Sequence, residues 1–137
     1  MKKYLLLLTL ISCSDKDLSV KNKEVVNSMF EAFNAHSWEK MASYYADSAS
    51  FLDPSFGAEY VIKSRSETSE KYKGYESMMP DIHDQIVSVE AVGDKVFVEF
   101  ISTGTIKDGP TFKLPIVSIL TIKDRLIVKD ATYYDSN

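Results

Sequence analysis

From Asp81 onward the chain is a succession of β-branched and aromatic runs cut by tight-turn signals, a pattern that demands an antiparallel sheet. The runs cover residues 82–92, 95–105, 111–122 and 126–134. Between them stand Gly93-Asp94, Lys107-Asp108-Gly109-Pro110 and Lys123-Asp124-Arg125, each suited to a hairpin. Val96, Val98 and Phe100 alternate with Phe97, Glu99 and Ile101, so both faces of that strand carry apolar residues. One face can pack on helices while the other meets a pocket or a partner.

Ahead of the sheet the apolar period is helical. Val25, Val26, Met29, Phe30 and Phe33 recur at three- and four-residue spacings and form one stripe on a helix starting near Val20. Asn34-Ala35-His36-Ser37 breaks it. Ser37 is placed to cap a second helix carrying Trp38, Met41, Ala42 and Tyr45. A short extended piece, Ser50 to Asp53, runs into the turn Pro54-Ser55-Phe56-Gly57. Ala58 to about Met78 reads as a third helix with a polar middle, weakened at Gly74 and stopped by Pro80. Helices first and a meander afterwards make an α+β domain over residues 20–137.

The first residues set the compartment. Lys2 and Lys3 precede an apolar run over 4–11, too short to span a bilayer and suited to a secretory signal. Leu10-Ile11-Ser12-Cys13 resembles the bacterial lipobox, in which the signal is removed and the Cys carries lipid. The expectation is a signal over residues 1–12, lipidation at Cys13 and a polar tether over 13–19. That places the chain in a bacterial cell envelope, lipid-anchored at the outer membrane or periplasmic face. Cys13 is the only cysteine, so no disulfide can staple the fold, and lipidation removes an otherwise exposed thiol. Apolar residues at 45% of the chain are enough for an unstapled core. Losing Lys2 and Lys3 takes the formal charge from −4 to −6, which argues against nucleic acid as a partner.

The order helix, helix, short strand, helix and four long strands resembles the SnoaL-like group of the nuclear-transport-factor-two superfamily. The residues that carry the resemblance are Phe30-Glu-Ala-Phe-Asn-Ala-His-Ser-Trp38, Tyr45-Ala-Asp-Ser-Ala-Ser-Phe-Leu-Asp-Pro54, Met79-Pro-Asp81, Gly93-Asp94 and Ala131-Thr-Tyr-Tyr-Asp135. It implies a cone-shaped fold, with a curved antiparallel sheet wrapped around the N-terminal helices, a conical pocket open at one end, and a homodimer. Fold alone does not supply function.

In the related ketosteroid isomerases a carboxylate moves a proton beside a carbonyl, and the resemblance places Asp53 there. A carboxylate at the mouth of an apolar pocket has its pKa raised by burial and can act as a general base near neutral pH. An Asp before Pro is equally a turn-former whose side chain caps nearby N–H groups. Charge developing on the carbonyl oxygen needs donors. The resemblance puts Met29 and Ser118 at the donor positions; Met29 cannot donate, and Ser118 donates more weakly than a buried acid. The cyclases carry an acid just before the closing aromatic pair. Here Thr132 precedes Tyr133 and Tyr134, with Asp130 and Asp135 out of that register. The epoxide-hydrolase relay needs an Arg between two Asp residues, and Arg65 and Arg125 sit in a polar stretch and a turn.

Asp81, His83 and Asp84 suggest a metal only superficially. A strand sends Asp84 to the face opposite the other two, and a surface strand edge is the expected setting. His36 is expected to be a capping or exposed turn residue. No glycine-rich phosphate loop is present, and neither metal nor cofactor is implied. The expected pocket gathers Tyr45, Phe56, Tyr60, Ser118, Thr132 and Tyr134 around Asp53. Three functions fit: binding a small apolar or amphipathic molecule, proton transfer by Asp53, or protein contacts by a dimer with a filled cone.

Overall fold

The computed structural model describes residues 11–135, with side chains from Asp15. The signal up to residue 10 and the side chain of Cys13 lie outside the described residues. The elements are α1 (Ile11–Asn34), α2 (Trp38–Ser43), β1 (Tyr45–Leu52), β2 (Val61–Ser64), α3 (Arg65–Met78), β3 (His83–Val92), β4 (Lys95–Thr105), β5 (Thr111–Lys123) and β6 (Leu126–Tyr133). A single 3-10 turn, Pro54–Phe56, follows β1.

The helix expected from Val20 starts nine residues earlier, so the expected tether over 13–19 is helical. No Gly or Pro interrupts this stretch, and Asp17 and Lys21 pair across one turn at 2.6 Å. The helix ends at Asn34, at the start of the expected break, and His36 follows as the left-handed residue. With φ at 53° it closes a Schellman motif, in which the Ser37 N–H donates to the Ala32 carbonyl at 2.9 Å and the His36 N–H to the Phe33 carbonyl at 2.8 Å. His36 is half-buried rather than exposed: its Nε2 lies 2.8 Å from the Ile82 carbonyl, and its ring stacks on Trp38.

Tyr45 opens a strand instead of closing α2, and the expected extended piece lengthens to eight residues. The expected helix over 58–78 divides into β2 and α3. The dividing signal is Ser64. Its hydroxyl accepts from the Glu67 N–H while the Glu67 carboxylate accepts from the Ser64 N–H, a capping box that starts a helix inside the polar stretch.

All six strands form one curved sheet in the order β2-β1-β6-β5-β4-β3. The three hairpins from β3 to β6 are antiparallel as expected, and β2 pairs antiparallel with β1; β1 lies parallel to β6, which the meander pattern did not anticipate. Successive strand residues face opposite sides, so Val96, Val98 and Phe100 of β4 and Ile116, Leu120 and Ile122 of β5 are buried against the helices. Phe97, Val117 and Tyr133 face outward and are exposed. The Phe30 and Phe100 rings meet edge-on at 4.9 Å and tie α1 to β4. Phe33, Trp38 and Tyr72 lock the three helices together, Phe33 meeting both other rings edge-on and Trp38 stacking on Tyr72.

Candidate functional site

The sheet curls around α1 and α3 without closing on them, leaving a cavity of about 200 Å³. Its apolar wall includes Phe30 and Phe33 of α1, Phe100 of β4, and Leu114 and Ile116 of β5. Gly104 allows the Phe112 ring to lie across β4 at one end; a Cβ on that glycine would come within 2.7 Å of the ring. Three polar groups interrupt the apolar lining.

The first centres on Asp130, buried on the inner face of β6. Tyr45 Oη donates to its Oδ2 at 2.8 Å and Thr132 Oγ1 to its Oδ1 at 2.9 Å. Ser118 Oγ lies 2.6 Å from Thr132 Oγ1 and continues the chain. Burial pushes the Asp130 carboxyl above its ordinary value, opposed by these hydrogen bonds. Burial, followed by the charge of Asp130, drives the Tyr45 hydroxyl well above its ordinary range, so it remains a donor.

The second group is Asp53 at the end of β1. Its Oδ2 accepts from Lys71 Nζ at 3.0 Å; its Oδ1 accepts from the Ser55 N–H at 2.7 Å and from Tyr134 Oη at 3.1 Å. Burial alone would raise this carboxyl. The Lys71 ammonium and the Ser55 hydrogen bonds outweigh that effect and hold it below its ordinary value. Burial and the charge of Asp53 push Tyr134 up to about 12.

The third group is Asp84 of β3, only 7% exposed. Both backbone polar groups of Asp84 bond to the Asn34 side chain at 2.8 Å, anchoring this edge strand to α1. Its carboxyl, hydrogen-bonded by Ser102, lines the cavity. Oδ1 has no partner among the described residues. Burial raises the carboxyl to about 6, against the Ser102 hydrogen bond.

A family model for the SnoaL-like domain matches residues 26–129. The chain belongs to the SnoaL-like family. Among solved structures, the SnoaL-like cone is similar to a ketosteroid-isomerase-like protein from Catenulispora acidiphila in complex with trimethylamine. The two are 22% identical, over 82% of this chain and 86% of that one, with a TM-score of 0.74. IdmH from Streptomyces antibioticus, proposed as a polyketide cyclase, is 19% identical over 83% and 91% of the two chains, TM-score 0.72. An LEH-like epoxide hydrolase from M. tuberculosis is 14% identical over 85% and 84%, TM-score 0.71. At these identities the likeness carries the fold alone. No curated protein matches the chain.

Of the residues expected in the SnoaL-like pocket, Tyr45, Asp53, Ser118, Thr132 and Tyr134 line the cone together, and so does Met29. Two do not. Phe56 lines a neighbouring cavity of about 300 Å³, where Lys71 Nζ sits 4.1 Å over its ring. Tyr60 is exposed outside the cone, packed on Lys129 Nζ at 4.2 Å. The raised pKa expected for Asp53 is also reversed, because α3 brings Lys71 onto it.

Asp130, out of the cyclase register in the sequence, nevertheless lines the cone. It lies two residues before Thr132 and therefore on the same face. Asp84 is likewise not a surface-edge residue. Alternation places it between Ile82 and Ile86 on the inward row, and an Asp in an apolar row was the available signal. Lys71 stands four residues before Tyr75, one turn away on the same helix face, and that spacing was the available signal for it. Asp81 is exposed, with its carboxylate bonded to Thr105, and no metal-binding group of three ligands occurs among the described residues.

Proposed function

We propose that the SnoaL-like cone binds a small amphipathic molecule of about one ring in size. The observation that supports this is the unfilled cavity itself, with aromatic and aliphatic walls and a few inward polar groups, as small-ligand sites have. A cavity of about 150 Å³ accommodates benzene, and this one is somewhat larger. Calorimetric titration of the full chain with benzyl alcohol tests the reading. Saturable binding is expected, and it should disappear in Leu114→Trp, whose indole fills the cone. Absence of saturable heat, or an unchanged titration of the variant, would contradict it.

Proton transfer by Asp53 has less support. Both of its oxygens are occupied, and a carboxylate held low by Lys71 is a weak base. Asp130 is the stronger base of the two, since burial raises its carboxyl while Lys71 lowers that of Asp53, but Tyr45 and Thr132 occupy both of its oxygens as well. A role through protein contacts alone would suit a filled cone, and the cavity weighs against it. The exposed Phe97, Val117 and Tyr133 on the outer sheet face support pairing of two copies.

Membrane attachment through lipid on Cys13 completes the proposal, supported by the lipobox-like Leu10-Ile11-Ser12-Cys13. No helix among the described residues is long and apolar enough to cross a membrane. In the bacterial host, Cys13→Ser should move the protein from the membrane pellet to the soluble fraction. Retention in the pellet would defeat lipid anchoring.

A further inference from the structure

Ser102 hydrogen-bonds the Asp84 carboxyl but leaves its charge unbalanced. Asn34 binds the Asp84 backbone, which any residue at this position would supply. The side chain lies among the apolar positions of β3 and lines the cavity, and one carboxylate oxygen has no partner among the described residues. An unsatisfied buried carboxylate oxygen is costly, and proteins keep such groups chiefly where something else supplies the missing partner.

No cation among the described residues does so. Lys71, the lysine that lines the cone, is engaged at 3.0 Å by both Asp53 and Ser55. Aromatic residues, among them Phe33, Tyr75, Phe100 and Phe112, share the lining with Asp84. An anionic oxygen in an aromatic-lined pocket suits an organic cation, which ring faces also attract. We propose that the ligand of the cone is a protonated amine, its ammonium donating to the Asp84 carboxylate and its apolar part filling the cavity. This rests on the pocket reading above and adds the chemical class of the ligand. An anion would face an uncompensated carboxylate. A neutral alcohol would satisfy the hydrogen bond without balancing the charge.

The test is a comparison of benzylamine, benzyl alcohol and benzoate, titrated into the full chain at neutral pH. The three share one ring and differ in charge. Benzylamine is expected to bind at least about tenfold more tightly than benzyl alcohol, the effect of one charge-assisted hydrogen bond, and benzoate most weakly. In Asp84→Asn, benzylamine should fall to within about twofold of benzyl alcohol, because the charge that distinguishes them is gone. The wild-type comparison decides the matter even without the variant. Benzyl alcohol binding as tightly as benzylamine, as expected if only water meets Oδ1, overturns the amine assignment and leaves the pocket reading standing. An amine preference that survives Asp84→Asn overturns the assignment to Asp84. If neither compound binds, the pocket reading itself fails.

Discussion

Asp84→Asn is expected to make the ligand-free chain more stable at neutral pH, by about 2–3 kcal/mol. The magnitude follows from burial. The Asp84 carboxyl rises from 3.8 to about 6, and each unit is worth about 1.4 kcal/mol of differential stability between the two protonation states. Its sign follows from linkage. The folded pKa lies above the unfolded one, so the folded state holds the proton more tightly. The penalty is absent below about pH 4, grows between about 4 and 6, and is complete above that. Asn carries no charge at any pH. The gain should therefore be full near pH 7 and vanish below about pH 4, and urea unfolding at the two pH values measures it. A variant that is no more stable than wild type at neutral pH would show that the carboxylate is not isolated. The residue proposed to hold the ligand is then also a cost to the empty fold, a trade common at binding sites.

Leu120→Ala is expected to have the largest destabilising effect, about 3–4 kcal/mol, and to lower the melting temperature by roughly 10 °C or more. Leu120 is fully buried on the inner face of β5 and also lines the cone. Truncation removes apolar contacts between sheet and helices, and the void left behind merges with the existing cavity. The wall on this side is the hydrogen-bonded centre of the sheet, which cannot relax inward to fill it. Val117→Ala, three residues earlier on the outer face and 42% exposed, should cost under about 1 kcal/mol. Thermal unfolding of the two variants checks the pair. Equal costs would mean that the sheet does not present Leu120 inward.

Much of this fold was legible because its strongest signals are local. The stripe from Val25 to Phe33 and the turns at Gly93-Asp94 and Asp124-Arg125 each depend on a few neighbouring residues. The errors arise where distant residues decide. Tyr45 continues the helical spacing of Trp38 and Met41, yet it enters a strand because β6 offers a parallel partner and Asp130 an acceptor for its hydroxyl. β2 is a four-residue edge strand, Val61–Ser64, whose two apolar residues run straight into the polar stretch 63–71 and give no alternation of their own. Asp53 was identified by position, but its electrostatics depend on Lys71, eighteen residues away on another element. Tyr60 is an aromatic like the pocket residues, and nothing local in the sequence indicates that its chain segment leaves the cone. Asp84 could have been found from alternation, had its inward row been weighed above its neighbours Asp81 and His83.

A crystal structure of the full chain grown with benzylamine would show where the amine binds. The ring is expected inside the cone beside Phe33 and Phe100, with its nitrogen within hydrogen-bond distance, about 3 Å, of the Asp84 carboxylate. An empty or water-filled cone at saturating amine, or benzylamine bound only on the outer sheet face, would contradict it.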